Sequence, residues 1–191
     1  MNDETRSRWD QRYHAEIGAQ QPAQVLSSYA YLLPESGSAL DLACGLGANA
    51  LLLANHGLET WAWDISQVAI ARLDEAARKA GLPLHAEVRD VMAQPPPPDS
   101  FDVIVVSRFL ERELADTLQA ALRSGGLLYY QTFTRVRAAE NGPRNPAFLL
   151  GENELLQLFQ EFKILLYREE GRVGDLQQGF RNEAMLIAQK V

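Results

Sequence analysis

The 191-residue sequence is poor in cysteine, histidine and lysine. Its one cysteine, Cys44, excludes an intrachain disulfide, and a reducing compartment is the simplest expectation. The three histidines, His14, His56 and His85, are scattered, and no metal site is expected. No apolar run approaches the roughly 20 residues that span a bilayer. The opening Met1-Asn2-Asp3-Glu4 is polar and acidic, without the apolar core of a signal peptide, so a cytoplasmic protein is expected. An excess of positive charge is also lacking. The net charge of −7 argues against a general electrostatic grip on nucleic acid or an anionic membrane, and neither is expected as a partner. Internal repeats are absent, and low complexity is confined to Pro95–Pro98.

What remains is a globular composition, 47% hydrophobic, at a length suited to one domain. Two helices are predicted first. Residues 3–16 carry Trp9 and Tyr13 on one face, and residues 22–33 open on Pro22 and place Val25, Leu26, Tyr29, Leu32 and Leu33 at helical spacing. After residue 36 the pattern changes to strands at 38–43, 59–64, 84–89, 101–107 and 126–133, alternating with helices at 48–56, 66–80 and 111–123. Such alternation predicts an α/β fold, a doubly wound, mostly parallel sheet with helices on both faces. Between the third and fourth strands only residues 91–100 are available, four of them proline, which predicts an extended crossover without a helix. A long loop at 134–150, a helix at 152–160 and strands at 162–168 and 183–189 follow. The turn-rich 169–182 makes that last pair antiparallel, for seven strands in all. One domain is expected, with capping helices over 1–36, a ligand-binding core over 37–133 and a substrate-side loop and closing strands over 134–191.

The chemistry concentrates in Asp41-Leu42-Ala43-Cys44-Gly45-Leu46-Gly47-Ala48-Asn49. A strand ends in a glycine turn and a helix begins at once. Gly45 and Gly47 allow a ligand close to the backbone, and the helix start offers free N–H groups to an anionic ligand group. Asp41 is placed to pair with a ligand cation. Asp64 ends the second strand, suited either to accept from vicinal ribose hydroxyls or to neighbour the helix cap at Ser66. Asp90 ends the third strand, as an adenine contact or a solvated strand end. Carboxylates at the carboxyl edge of such a sheet lie where open α/β folds bind ligands. Trp61 and Trp63 read as core packing and Cys44 as a small buried residue. Gly45-x-Gly47-x-x-Ala50 also satisfies the dinucleotide pattern, so an NAD(P)-dependent oxidoreductase is the competing reading. Against it stand Asp41 inside the first strand and the lack of a second domain for a hydride-transfer substrate.

The run ALDLACGLGANALLLA resembles the first motif of class I S-adenosylmethionine (SAM)-dependent methyltransferases, WAWDIS their second, VRDV their third and SFDVIVVSRFL their fourth. Within that family, Trp9-Asp10-x-Arg12-Tyr13 and GPRNPAFLLGENELLQLF are similar to segments of the tellurite-resistance and thiopurine methyltransferase-like branch. The resemblance implies SAM (S-adenosyl-L-methionine) as cofactor. It implies Asp41, Gly45 and Gly47 around the methionine part, with Ala43 where the family often has glycine, and Asp64 at the ribose. Ile65, Asp90 and Val91 would border the adenine, Ser107 and Arg108 would line the site after strand four, and Arg12 and Tyr13 would close over the cofactor.

Methyl transfer draws its activation from the cofactor's sulfonium, so the protein has mainly to align a nucleophile. Of the histidines only His14 sits where it can reach such a pocket, and no catalytic residue is assigned. The expected acceptor is therefore a small molecule whose nucleophile needs little help, a thiolate or a chalcogen oxyanion such as tellurite. It is expected under the amino-terminal helices and the 134–150 loop, with Arg108 and Arg135 meeting its charge. A non-catalytic SAM-binding protein is the remaining alternative.

Overall fold

The computed structural model describes residues 3–18, 20–139 and 142–191. Seven strands form one sheet: β1 Ser38–Leu42, β2 Glu59–Asp64, β3 Leu84–Val88, β4 Phe101–Ser107, β5 Leu122–Phe133, β6 Lys163–Arg168 and β7 Glu183–Gln189. Their order is β3-β2-β1-β4-β5-β7-β6, with β7 antiparallel to both β5 and β6 and the other pairings parallel. The helices are α1 Asp3–Ala15, α2 Gln24–Ser27, α3 Ala48–His56, α4 Gln67–Ala80, α5 Ala115–Ala121 and α6 Glu154–Leu158. Among the described residues, no helix is long and apolar enough to cross a membrane.

The side-chain period of two splits β4 between two cores. Val103 and Val105 join Ala39, Tyr129 and Ile187 against Val25, Leu26 and Leu53. Ile104 and Val106 join Leu40, Leu128 and Leu186 against Leu118, Leu155 and Phe159. Both valines and Ile104 and Val106 are without solvent exposure, as expected of a strand covered on both faces. The crossover from β3 to β4 contains no helix. It rejoins the fold where Asp99 and Ser100 donate their N–H groups to the carbonyls of Ala120 and Ala121.

Four elements differ from the sequence reading. The predicted helix over 22–33 is two short pieces, α2 and a 3-10 turn at Ala30–Leu32. Ser27 and Ser28 are weak helix formers, and the Tyr29 carbonyl is taken by the Tyr129 hydroxyl. The helix over 111–123 begins as a 3-10 turn at Arg112–Leu114 and ends at Ala121, because β5 starts at Leu122 rather than 126. An irregularity in the β4–β5 register lets Ser124-Gly125-Gly126 lie inside the strand instead of breaking it. At 152–160 the helix shrinks to α6, since Asn153 is left-handed at φ +58° and cannot belong to it.

Candidate active site

The turn after β1 is built from alternating left-handed residues: Ala43 at φ +55°, Gly45 at +54° and Gly47 at +77°. Gly47 N–H donates to the Cys44 carbonyl, and Cys44 N–H ties the turn to the Trp63 carbonyl of β2. Below the turn Asp41 is fully buried. Its Oδ2 accepts from Ala50 N–H at 3.0 Å and its Oδ1 from Asn49 Nδ2 at 3.4 Å. Burial pushes its carboxyl up to about 7. Beside the turn, Asp64 Oδ2 accepts from Gly45 N–H and Oδ1 from Ser66 N–H, both at 2.8 Å. Burial also raises this carboxyl, and the neighbouring Asp10 adds to the effect. The helix cap itself is Ser66, whose Oγ accepts from Ala69 N–H.

Over the turn lies α1, its C-terminal half fastened to the start of α4. Asp10 accepts from Ser66 Oγ at 2.5 Å and from Val68 N–H at 3.2 Å. Arg72 Nη1 donates to the carbonyls of Tyr13 and Glu16. Tyr13 is thereby buried against the glycine turn: a Cβ at Gly45 would stand 2.8 Å from its hydroxyl oxygen. It stacks on Trp9 one turn back, with centroids 5.6 Å apart. Arg12 is exposed and lies over the other aromatic, its guanidinium 5.1 Å from the Trp9 ring.

Asp90 is half-buried and accepts from Met92 and Ala93 N–H, closing the turn after β3. Val91 is buried in the cluster against which Ala43 packs, and Ile65 is half-buried next to Asp64. Ser107 Oγ accepts from Asn49 Nδ2 at 2.9 Å. Next to it a cleft of about 600 Å³ opens, lined among others by Glu16, Ala23, Arg108, Gln131, Phe180 and Glu183. Arg108, left-handed at φ +53°, sends Nε to Glu183 Oε1 at 3.1 Å. The other oxygen of Glu183 accepts from Gln131 Nε2, and Gln131 Oε1 accepts from Val25 N–H at 2.8 Å.

Arg108 and Arg135, both expected at the acceptor's charge, are not brought to one cleft. Arg135 is exposed and does not line the cleft. Its N–H donates to the Leu150 carbonyl, and its charge acts on Glu154. Residues 140 and 141 of the 134–150 loop lie outside the described residues. The start of the loop is tied to Asn182, which accepts from Thr134 N–H through its carbonyl and from Ala138 and Ala139 N–H through its side chain, and the far end of the loop is held elsewhere. There Arg112 binds the carbonyls of Ala147 and Leu149 and both oxygens of Glu154. The cleft is covered instead by residues 20–24 and 176–183. His14 is exposed on α1 and does not line it.

Several residues of this site escaped the sequence reading. Asn49 was legible, as a poor helix former in the first turn of a helix. It joins Asp41, Ser107 and Ala23, whose N–H its Oδ1 accepts. Asp10 stands in the Trp9-Asp10-x-Arg12-Tyr13 run but with no role assigned, and Gln131 and Glu183 have no local signal, for the partners of these three are 52 to 106 positions distant along the chain.

The raised Asp41 carboxyl has a consequence for stability. Between about pH 4 and pH 7 the folded protein holds a proton there that the unfolded chain has released. This contribution is complete below pH 4 and is lost as pH rises through 7. Asp41→Asn removes it. The stability of wild type relative to this variant should fall by a few kcal/mol, at most about 4, between pH 4 and 8. Urea unfolding across that range measures it, and a constant difference would contradict the burial argument.

Residues 39–126 match a family described as a methyltransferase domain. Hemagglutinin 1 of Eikenella corrodens is 34% identical over 138 residues, covering 68% of this chain and 45% of that protein. The probable S-adenosyl-L-methionine-dependent methyltransferase TehB of Haemophilus influenzae (strain 10810) is 29% identical over 152 residues, 75% of this chain and 51% of that one. The crystal structure of TehB from Haemophilus influenzae superposes with a TM-score of 0.70 at 23% identity, over 97% of this chain and 67% of that chain. The chain spans about half the length of the curated relatives it matches. With the strand order and the glycine turn, these matches define the chain as carrying a class I SAM-dependent methyltransferase domain. Within that class it resembles TehB, and the cofactor of the class is SAM. A dinucleotide fold would continue its sheet in parallel, whereas here antiparallel β7 separates β5 from β6.

Proposed function

We propose that the protein transfers the methyl group of SAM to a small molecule held in the cleft beside Arg108, at a thiolate or chalcogen oxyanion. One observation carries this reading. A left-handed glycine turn, roofed by Tyr13 and flanked by the buried Asp64 carboxylate, is linked through Asn49, which bonds Asp41, Ser107 and Ala23, to a separate cleft lined by Ala23 and Arg108. The residues suit the cofactor. Glycine at 45 lets Tyr13 close against the turn, where a Cβ would meet its hydroxyl, and the acidic Asp10 and Asp64 beside the turn favour a cationic ligand.

In this reading Gly45 and Gly47 pass the methionine part close to the backbone, while Asp41 acts through Asn49 and Ala50 to hold the turn. Asp64 accepts from the ribose with the lone pairs its backbone partners leave free. Ile65, Asp90 and Val91 border the adenine. Ser107 marks the boundary with the acceptor, and Tyr13 excludes water from above. When bound, the cofactor supplies an electrophilic methyl carbon: the bond from the acceptor forms as the carbon–sulfur bond breaks, and the electron pair stays on sulfur. The acceptor's proton leaves to water beforehand, so the chain's task is alignment and exclusion of solvent. The resemblance of Trp9-Asp10-x-Arg12-Tyr13 to the tellurite-resistance branch makes tellurite one acceptor to assay. A cytoplasmic location, expected from the lone cysteine, belongs to the same reading.

Thermal unfolding with S-adenosylhomocysteine, SAM, NAD and NADP in parallel tests it. A ligand at 100 times its Kd adds about 2.7 kcal/mol, a rise of roughly 5–10 °C for a chain of this size. The rise is expected with the two sulfur cofactors only. A rise confined to the nicotinamides would reverse the assignment. Binding of SAM with no turnover of any thiol or oxyanion would leave a binding protein.

A further inference from the structure

The cleft beside Arg108 has a volume, a charge balance and apolar lining residues that together specify more than the proposed reaction does. Its volume is about 600 Å³, within the range of sites for organic ligands. A bare four-atom oxyanion, at about 30 Å³ for each water-sized atom, fills roughly 120 Å³. Pro22, Ala23, Leu176 and the buried Phe180 are among its lining residues. These offer nothing to an inorganic ion.

Its charges are balanced. Arg181 spends its guanidinium on its own loop, with donors to the carbonyls of Glu170, Gly171, Asp175 and Gln178 and the Glu170 carboxylate 3.7 Å away. Arg108 differs. Its side chain is 63% exposed, only Nε is engaged, and Nη1 and Nη2 make no hydrogen bond among the described residues. Glu183, whose side chain is 10% exposed, cannot swing away to water, because Gln131 holds its second oxygen and Val25 holds Gln131. Arg108 is thus held from behind by a fixed carboxylate, with its two-nitrogen edge left for a ligand. That edge matches a carboxylate, whose two oxygens it can bind side by side. Glu183 already opposes one unit of positive charge at Arg108, and Glu16, which accepts from Gln20, is a second carboxylate in the lining, so a second carboxylate on the ligand beside Arg108 is disfavoured.

We propose that the methyl acceptor is an organic monoacid, its carboxylate on Arg108 and its apolar body against Phe180 and Leu176. Glu183 is a positioning residue that sets this charge selectivity. The inference rests on the methyltransferase reading and narrows its acceptor to an organic molecule.

The test measures calorimetric binding to the S-adenosylhomocysteine-loaded protein, and KM with SAM, for four probes. They are 3-mercaptopropionate, its neutral amide, the diacid mercaptosuccinate and tellurite. The monoacid should exceed the amide, the diacid and tellurite by tenfold or more in affinity. Arg108→Gln should bring the acid-to-amide ratio close to one. Glu183→Gln should raise the diacid-to-monoacid ratio several-fold, a change in selectivity that a merely structural role would not produce. S-adenosylhomocysteine binding by each variant reports its folding. Equal affinity for acid and amide, preference for tellurite, or no binding of any probe overturns the inference while leaving the methyltransferase reading standing. Absence of S-adenosylhomocysteine binding by the wild type overturns both.

Discussion

Gly47→Ala is expected to destabilise the protein by about 2–5 kcal/mol, the sum of a left-handed penalty of about 1–2 and an overpacking cost of about 1–3. The backbone at φ +77° is one that alanine adopts at a cost, but the larger obstacle is space. A Cβ there would stand 2.4 Å from both methyl carbons of Leu73 and 2.8 Å from its Cγ. Leu73 is 1% exposed and packed with Cys44, Ala50, Ala62 and Ile70, so its whole side chain has nowhere to go. The midpoint of thermal unfolding should fall by roughly 5–20 °C. A double-mutant cycle with Leu73→Ala isolates the overlap: the double variant should be more stable than the sum of the single effects by at least about 1 kcal/mol. Simple additivity would mean that Leu73 is not the obstacle. Gly47 thus answers to packing as well as to ligand approach.

Asp64→Asn should cost at least a hundredfold in affinity for S-adenosylhomocysteine, about 2.7 kcal/mol, with a much smaller change in stability. Both oxygens of Asp64 accept from backbone N–H groups, those of Gly45 and Ser66. An asparagine has one acceptor oxygen, so its amide group would face one of these donors across a buried contact. One of the two backbone groups would then lose its acceptor, and the ribose its ionised one, while Cys44 N–H still ties the turn to Trp63. Stability is spared because the native carboxylate is itself raised by burial, a cost that the neutral side chain avoids. Titration calorimetry and thermal unfolding on the same samples separate the two. An affinity within threefold of the wild type would remove Asp64 from the cofactor's contacts.

Both predictions concern a turn that could be found in the sequence. Asp41, Gly45, Gly47 and Asp64 announce themselves through a strand, two glycines and an acid at the end of the next strand. Each is a local pattern tied to the close approach of backbone to ligand. Trp9 and Tyr13 were readable in the same way, as neighbours one helical turn apart. The acceptor cleft was not readable. Arg108 and Arg135 look equivalent in the sequence, both arginines that follow strands at the carboxyl edge of the sheet. The structure separates them: Glu183 holds Arg108 at the cleft, whereas Arg135 is exposed, with its N–H on the Leu150 carbonyl and its side chain outside the cleft lining.

The order of strands and helices along the chain, the crossover without a helix, the antiparallel closing pair and the position of the glycine turn all follow from the sequence by itself. They depend on hydrophobic period, glycine conformation and the reach of a proline-rich link, all properties of neighbouring residues. Tertiary structure alone decided that α1 is fastened across the turn by Asp10 and Arg72, that Gln131 and Glu183 meet behind Arg108, and that residues 176–183 line the cleft. Those contacts join residues tens of positions apart, brought together because the sheet places the ends of β4, β5 and β7 side by side. A buried carboxylate is stable there only with partners, and no local pattern names partners that arrive from other strands.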